Sequence, residues 1–471
     1  MVSNLLGFYQ GNNSSQMRVL IVAENVSLSM GGESSLPLYY FQLLRSRNIE
    51  TWLICHERVE AELRESFSPE ELHYCYFIKD NPFQKMFWET GLWFPYRIQD
   101  LIFGQFIHFF TQQKTRLLAK QIIHERNIQL VFEPSPITPK GISFMYDMGV
   151  PVVIGPLCGG LNFPPAFQFM DSKFSGFTIK LGRYLALICH KFIPGKLQAA
   201  ALIVANQRTA KALPVGVRGK IYEVIESGIN LSVLQLKNED TTLQERGKKS
   251  VRFVYSGRFV DWKGIQFIVK AFEQVAPKTD AILELVGDGQ LRPEIEAKVK
   301  ELNLEQRIIF HGWLTQAESI KIVRNCDVFV MPSLRECGGT ALLEAMALGI
   351  PVITTKWAGP ADYVTPECGI LVEPSSIQTF IDGLAQAMLR LAQSPELRDQ
   401  MGKAGTERVK TNYYDWVAKT DRIIEIFQEV LQDGNREQEM PVPLAGSLSV
   451  ITTGTQTVAG NPGGQEARGK R

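Results

Sequence analysis

The stretch VFVMPSLRECGGTALLEAMALGIPVITT, residues 328–355, indicates how the second half of the chain folds. Apolar runs at 328–331 and 351–354 flank helix-forming residues that end at Gly349, where a left-handed helix cap is expected. A strand, a loop, a helix and a second strand in this order form the repeating unit of a parallel sheet. The stretch therefore predicts a parallel α/β domain, with two carboxylates, Glu336 and Glu344, on either side of a double glycine.

Similar apolar runs recur along most of the chain. They consist of Val, Ile, Leu and Phe without alternation, as expected for strands that helices cover on both faces. A first series lies at 19–23, 51–55, 128–132, 152–154 and 201–204, and a second at 251–255, 281–286, 307–310, 328–331, 352–355 and 369–372. Two consecutive series predict two doubly wound, Rossmann-like α/β domains that face each other across a central cleft.

The predicted N-terminal domain covers residues 17–228 and the predicted C-terminal domain covers 229–412, because the polar stretch 236–250 precedes the second series. Residues 413–433 have the pattern of an amphipathic closing helix. Residues 435–471 are rich in Gly, Ser, Thr, Pro and Gln, and a disordered tail is expected there. The first sixteen residues lack the features of a secretion signal, and no apolar run reaches the roughly 18 residues of a membrane span.

The composition argues against several classes of partner. The chain has 471 residues, and its 50 Lys and Arg nearly balance its 49 Asp and Glu, so no nucleic-acid partner is expected. Its seven cysteines form no C-x-x-C pair, which favours reduced thiols in the cytoplasm over a zinc site or disulfides. No D-x-D triplet is present for a nucleotide-bound metal, so neither a metal site nor a cofactor is predicted.

Small and basic residues follow four strands at the same edge of the predicted second sheet, in the motifs SGRFVDWKG (256–264), VGDG (286–289), FHGWLT (310–315) and CGGT (337–340). Arg258 and Lys263 in the first motif have the side chains that bind phosphate, although either alone is also typical of a solvated surface charge. The last motif opens a helix, whose unpaired N–H groups and dipole favour a phosphate. That motif consists of Cys337, Gly338, Gly339 and Thr340.

The two glutamates are placed to hold different parts of one ligand. Glu336 precedes the glycines and is expected to project into the cleft from the loop. Glu344 lies about one turn inside the helix, where a carboxylate can accept hydrogen bonds from both hydroxyls of a ribose. The alternative for Glu344 is a plain surface charge.

Together these segments resemble the family-4 retaining glycosyltransferases of GT-B architecture, whose hallmark is two glutamates separated by seven residues, here Glu336 and Glu344. The resemblance covers nearly all of residues 17–430. It implies transfer of a sugar from a nucleotide-diphosphate sugar to a glycan or lipid-linked acceptor, as in cell-envelope glycan synthesis. It also implies retention of anomeric configuration and no requirement for a metal.

The resemblance also assigns roles to residues. It implies that Arg258 and Lys263 contact the donor diphosphate, that Glu344 binds the ribose hydroxyls, and that Glu336 is the catalytic residue beside the transferred sugar. The backbone at 337–340 would cap the phosphates. It further implies that the backbone near Trp313 and Leu314 meets the base. The amides of the glycine pair Gly31 and Gly32 would approach the donor phosphate or the acceptor across the cleft.

One departure from the family concerns the loop at 133–137, which reads EPSPI where many relatives carry a histidine. No histidine is therefore assigned a role, and whether Glu133 replaces it stays open.

Two stretches bear on the acceptor. Residues 83–110 contain ten aromatic residues, and residues 172–222 contain nine Lys and Arg without Asp or Glu. Each alone is typical of a core or a solvated face. Together they suit contact with an anionic membrane at its inner, cytoplasmic face, or with a lipid-linked acceptor.

Other functions stay open on the residues alone. A GT-B epimerase would interconvert free nucleotide sugars, and a phosphorylase would need a lysine that holds pyridoxal phosphate. A non-catalytic nucleotide-sugar-binding protein would need the same binding residues without turnover. A dehydrogenase is disfavoured, because no G-x-G-x-x-G opens either α/β series.

Overall fold

The computed structural model describes residues 17–30, 32–91, 93, 104–170, 188–231, 250–412 and 414–439. These residues form two parallel sheets of seven and six strands, with helices packed on both faces of each. The predicted class, two doubly wound α/β domains, is confirmed. Among the described residues, no helix combines the length and the apolar character that crossing a membrane requires.

The N-terminal sheet has the strand order β3-β2-β1-β4-β5-β6-β7. Its strands are β1 (Arg18–Val22), β2 (Glu50–His56), β3 (Cys75–Ile78), β4 (Leu130–Glu133), β5 (Val152–Leu157), β6 (Ala201–Val204) and β7 (Lys220–Glu223). The two edge strands, β3 and β7, were not predicted from the sequence. Three of the four residues of β7 are exposed and only Ile78 of β3 is buried, so neither has the burial pattern of a covered strand.

The C-terminal sheet has the order β10-β9-β8-β11-β12-β13, and all six of its strands were predicted. They are β8 (Arg252–Ser256), β9 (Ile282–Val286), β10 (Ile308–Gly312), β11 (Val328–Met331), β12 (Val352–Thr355) and β13 (Gly369–Val372). Every pair of neighbouring strands is parallel, so all the carboxyl ends lie along one edge of the sheet.

The helices connect these strands. In the first half they are α1 (Gly32–Ser46), α2 (Glu60–Ser66), α3 (Pro69–His73), α4 (Pro82–Gly91), α5 (Gln105–Arg126), α6 (Gly195–Gln198) and α7 (Gln207–Lys211). In the second half they are α8 (Ile265–Val275), α9 (Arg292–Glu301), α10 (Gln316–Arg324), α11 (Thr340–Ala347), α12 (Ala358–Tyr363), α13 (Ile377–Gln393), α14 (Pro395–Thr411) and α15 (Trp416–Glu439).

The strand order reverses direction between β1 and β4 in the first sheet and between β8 and β11 in the second. Connections that leave two adjacent strands in opposite directions open a crevice at their carboxyl ends, which is where ligands bind in open α/β sheets. The fold thus places the segments after β8 and β11, which carry the predicted basic and acidic site residues, beside each other.

The chain crosses from one domain to the other twice, at Ile229 and again at Tyr414, and the two crossing segments are hydrogen-bonded to each other. The Ile229 amide donates to the Tyr414 carbonyl, and the Trp416 amide donates to the Ile229 carbonyl, both at 2.9 Å. After this return, α15 packs on the N-terminal domain, where Phe427 meets Phe132 of β4 with ring centroids 5.1 Å apart. The last helix therefore completes the core of the first domain.

The ends of this last helix differ from the prediction. The closing helix expected over 413–433 begins at Trp416 and continues to Glu439, so residues 435–439, expected in the disordered tail, are helical. Residues 440–471 lie outside the described part of the chain, as does most of the connector 236–250.

Candidate active site

Two predicted site residues, Lys263 and Glu336, form an ion pair in the crevice of the C-terminal sheet. Lys263 ends the 3₁₀ turn that follows β8, and Glu336 lies in the loop after β11. Gly264 allows this approach, since its φ is 74° and a Cβ atom there would lie 2.3 Å from the carbonyl oxygen of Pro332. The backbone of the turn and the backbone of the loop are therefore in direct contact next to the ion pair.

Arg258 is exposed at the same sheet edge, two residues beyond β8. The hydroxyl of the buried Tyr255 donates to the carbonyl oxygen of Arg258 at 2.9 Å, and this bond fixes the backbone of the segment. Within the described residues, Arg258 forms no ion pair with a carboxylate. Its exposed guanidinium is thus available for an anionic ligand at this edge of the sheet.

The glycines before α11 have a packing role that the sequence did not reveal. A Cβ atom on Gly338 would lie 1.9 Å from Ser227 Oγ and 3.0 Å from a carboxylate oxygen of Glu226, in the segment that links the domains. Gly339 has φ 141°, which disfavours any other residue, and Thr340 begins the helix. Contact with the linker therefore requires Gly338 regardless of any phosphate, whose binding here stays a prediction.

Glu344 lies one turn inside α11 and is partly buried. Burial raises its pKa to about 7, while a hydrogen bond from the Gln316 amide of α10 favours the charged form. Burial, and then the charge of Glu344, raise the pKa of Tyr39 on α1 in the N-terminal domain. Glu344 is thus not a plain surface charge.

The remaining predicted contacts lie around this centre. Trp313 directly follows β10 and is 71% exposed, whereas Leu314 packs partly on the core. Gly32 begins α1, and no atom lies within 4 Å of the position its Cβ would take. Gly31 lies outside the described residues.

Between the two domains lies a cleft of about 940 Å³, in which residues from the N-terminal domain face Glu336 and Cys337. Sequence reasoning missed this opposite wall, which includes Lys140, Asn162, Arg208 and Lys211. For Arg208 and Lys211 the sequence signal was the surplus of basic residues over 172–222, and that pattern was interpreted as a surface feature.

Hydrogen bonds across the domain boundary join the two walls of the cleft. Asn206 and Arg208 both donate to the Asp362 carboxylate of α12 at 2.9 Å. The Trp357 indole donates to the Asn162 carbonyl oxygen, also at 2.9 Å. Both contacts join the N-terminal wall to the segment 357–363 that follows β12.

Glu133 is buried at the end of β4 and is not a solvated loop residue. Ser143 Oγ donates to its carboxylate at 2.5 Å, and burial raises its pKa to about 7 against the favourable charge of Lys196. Lys196 is itself buried and donates to the Thr138 carbonyl oxygen. This part of the basic stretch 172–222 therefore lies inside the domain, and the prediction of a one-sided basic surface is wrong for Lys196.

A histidine does lie at the carboxyl edge of the N-terminal sheet, although not in the loop after β4. His108 on α5 is hydrogen-bonded through Nδ1 to the Glu24 carboxylate at 2.6 Å, and Glu24 follows β1. His311 is hydrogen-bonded through Nε2 to the buried Glu284 carboxylate at 2.9 Å, which is a structural contact.

The C-terminal domain matches a known family. Residues 238–408 match the model described as Glycosyl transferases group 1. The lipopolysaccharide core biosynthesis glycosyltransferase LpsD of Rhizobium meliloti is 33% identical over 171 residues, which are 36% of this chain and 47% of LpsD. The chain thus matches about half the length of this curated relative.

Solved structures are similar over both domains. A glycosyltransferase from Rickettsia africae superposes with a TM-score of 0.61 at 16% identity, over 89% of this chain and 100% of that chain. The Anabaena protein HepE, solved in complex with UDP, gives a TM-score of 0.59 at 15% identity, over 88% of this chain and 100% of its own. At such identities the likeness concerns the fold alone. The chain therefore has a GT-B fold, and its C-terminal domain matches the group 1 glycosyl transferases.

Proposed function

We propose that the protein is a retaining glycosyltransferase, which moves a sugar from a nucleotide-diphosphate sugar to a glycan or lipid-linked acceptor without a metal ion. The observation that carries the proposal is the ion pair of Lys263 with Glu336 in the crevice of the C-terminal sheet, at the sheet edge where Arg258 is exposed and, among the described residues, forms no ion pair. These side chains match the needs of a sugar diphosphate, with cations for the phosphates and a carboxylate for sugar hydroxyls. The match of this domain to the group 1 glycosyl transferases supports the same assignment.

The ion pair suggests how the donor would be received. The donor diphosphate would bind between Arg258 and Lys263, and Lys263 would exchange its contact with Glu336 for one with phosphate. The Glu336 carboxylate would then be free to accept hydrogen bonds from the sugar. Glu344 would bind the ribose hydroxyls, and the start of α11 would face the phosphates.

The transfer step itself needs little more than charge stabilisation. An acceptor oxygen forms a bond to the anomeric carbon on the face from which the diphosphate leaves, and the carbon–oxygen bond to phosphate breaks. The departing phosphate oxygen takes the acceptor proton. Arg258 and Lys263 stabilise the negative charge that develops on the diphosphate, which is the role a metal has in other transferases.

Uridine nucleotides are the first donors to test, because HepE, which shares the fold, was solved with UDP and with UDP-glucose. The wild-type protein is incubated with labelled nucleotide sugars and a membrane extract, without metal and with excess chelator. We expect a labelled product whose anomeric configuration, measured by NMR, equals that of the donor. Glu336→Ala should reduce turnover by about 100-fold or more with a small change in KM, because it removes a contact to the reacting sugar.

Lys298→Ala on α9 is the control, since Lys298 pairs with Glu301 on its own helix and lies outside the crevice. Interconversion of free nucleotide sugars without an acceptor would favour the epimerase. Nucleotide binding without any turnover would favour the non-catalytic binding protein, and inversion would overturn the retaining mechanism.

We also propose that α4 and α5 contact an anionic membrane, which would place the reaction at the inner face of the membrane. Aromatic rings form a continuous cluster here, with Phe83–Phe110 centroids 6.1 Å apart and Phe87–Phe106 centroids 5.6 Å apart. Phe83 and Phe106 are about half exposed, and the exposed Lys85 lies on the same helix as Phe83. Exposed aromatic rings beside a cation suit a lipid interface.

Flotation with vesicles tests this contact. We expect the protein to float with phosphatidylglycerol vesicles more than with phosphatidylcholine vesicles, and the double substitution Phe83→Ser with Phe106→Ser to reduce flotation by about fivefold. Val215→Ser, which changes a side chain that is 90% exposed elsewhere, is the control. Equal flotation of both variants would contradict the assignment.

A further inference from the structure

The cleft between the domains carries a surplus of positive charge on the side away from the donor crevice. Three basic residues of the N-terminal domain line it, Lys140, Arg208 and Lys211, together with Arg335 of the C-terminal domain. Glu336 is the one carboxylate among the lining residues, and it is paired with Lys263.

Only part of this charge is neutralised by the protein. Arg208 pairs with Asp362 at 2.9 Å, so its charge is largely balanced. In the part of the chain that the structure describes, Lys140 and Lys211 form no ion pair with any carboxylate. Two lysines facing the same cleft without counter-charges repel each other, and a bound anion would relieve that repulsion.

The segments that carry these lysines are held firmly by the protein. Lys140 lies in the loop after β4, whose Ile137 carbonyl accepts a bond from the Cys158 amide at 2.7 Å and whose Thr138 carbonyl accepts one from the buried Lys196. A Cβ atom on Gly159 would lie 2.4 Å from Pro139, so the two wall loops are in van der Waals contact. Lys211 ends α7, a helix capped by the Asn206 side chain.

These cations are not needed for the donor in the proposed function. The donor phosphates are assigned to Arg258 and Lys263 of the C-terminal domain, whereas Lys140 and Lys211 belong to the opposite domain. Arg208 adds a buried Nε–H that has no hydrogen-bond partner among the described residues. An unpaired buried donor is costly unless a ligand or water satisfies it.

We propose that the acceptor carries an anionic group, a phosphate or a carboxylate, which Lys140 and Lys211 bind in the cleft beside Arg208. The inference rests on the proposed transfer function, since it assigns the N-terminal wall to the acceptor. Neutral sugars would lack the group that this wall recognises. Charge-assisted hydrogen bonds to the anion would also orient the acceptor hydroxyl toward the donor sugar near Glu336.

The test measures acceptor-like binding while UDP occupies the donor site, so that an anionic probe cannot bind there instead. The full chain, saturated with UDP, is titrated with glucose 6-phosphate, glucuronate and glucose by calorimetry. We expect at least one of the two anionic sugars to bind about tenfold or more tightly than glucose, with an affinity that falls as salt is raised. The double substitution Lys140→Gln with Lys211→Gln should remove this preference, and Lys140→Arg with Lys211→Arg should keep it.

Equal affinity for all three sugars, or a preference that survives Lys140→Gln with Lys211→Gln, would overturn the inference. The UDP titration of the wild-type protein separates this outcome from failure of the proposed function, because loss of the donor site would appear as no UDP binding at all. A lipid source of the anion is distinguished by repeating the glutamine variant with phosphatidic acid and phosphatidylcholine vesicles. Reduced binding to phosphatidic acid alone indicates a lipid-borne phosphate, and unchanged vesicle binding with lost sugar-phosphate binding indicates a soluble acceptor.

Discussion

In the proposed donor site, the Glu344 carboxylate would link donor binding to pH. Its pKa is raised to about 7 by burial in α11, against the hydrogen bond from Gln316. Above this pH the free protein holds a carboxylate, which can accept both ribose hydroxyls. As pH falls through the pKa, the group becomes a neutral acid that accepts fewer hydrogen bonds, and donor binding must then expel a proton.

The affinity for UDP-glucose should therefore fall by about tenfold between about pH 8 and about pH 6. UDP-glucose is the suitable ligand, because its diphosphate has no ionisation in this range. Glu344→Gln should bind more weakly at the higher pH and should show little pH dependence, as measured by calorimetry. A wild-type affinity that is constant over this range would contradict the role of Glu344.

Gly264 illustrates how one turn between two elements sets the geometry of a site. It lies between the 3₁₀ turn after β8 and α8, has φ 74°, and directly touches the backbone at Pro332. The contact brings the end of the β8 segment against the β11 loop, which lets Lys263 meet Glu336. Neither strand alone would define the distance between these two side chains.

Gly264→Ala should lower both stability and UDP-glucose affinity, because the new methyl group would displace the turn. Gly149→Ala is the matched control, since Gly149 has φ 78° and no atom lies within 4 Å of its Cβ position. Both variants bear a backbone cost of about 1 kcal/mol, and the steric clash adds about 1–3 kcal/mol only at Gly264. Thermal unfolding and calorimetry check this, and equal effects of the two substitutions would exclude a positioning role for the contact.

The two domains are joined by more than the linker, because each contributes to the core of the other. Phe427 and Ile423 of α15 are buried in the N-terminal domain, and Phe167 of the N-terminal half packs against Phe267 and Phe380 of the C-terminal domain. Cleft residues on both sides are thus supported by a core that crosses the domain boundary.

Phe427→Ala should therefore destabilise the N-terminal domain by about 3–5 kcal/mol, although the residue lies near the end of the described chain. Val417→Ala, at a position of the same helix that is 45% exposed, should cost less than about 1 kcal/mol. Urea denaturation followed by tryptophan fluorescence measures both changes. A small effect of Phe427→Ala would mean that α15 does not complete the first domain.

The sequence predicted the whole C-terminal sheet and the order of its site segments, because continuous apolar runs such as 328–331 identify covered strands. It also predicted that Lys263 and Glu336 lie at one edge of the C-terminal sheet, because the carboxyl ends of parallel strands meet at the same edge. It did not predict the wall formed by Lys140 and Arg208, or the burial of Glu133 and Lys196. Those depend on contacts between segments far apart in the chain, such as Arg208 with Asp362, which local patterns do not encode.

The most direct test of the central claim, a nucleotide-sugar site at the meeting of β8 and β11, is a calorimetric titration of the protein with UDP, GDP, ADP and their glucose conjugates in the absence of metal. We expect at least one nucleotide to bind, and Lys263→Ala to weaken that binding by about tenfold to 100-fold, since it removes a charge-assisted contact to the diphosphate. Lys298→Ala, which removes the same charge from α9, should leave the affinity unchanged. Absence of binding by every nucleotide, or equal affinities of the two lysine variants, would contradict the donor site proposed for this crevice.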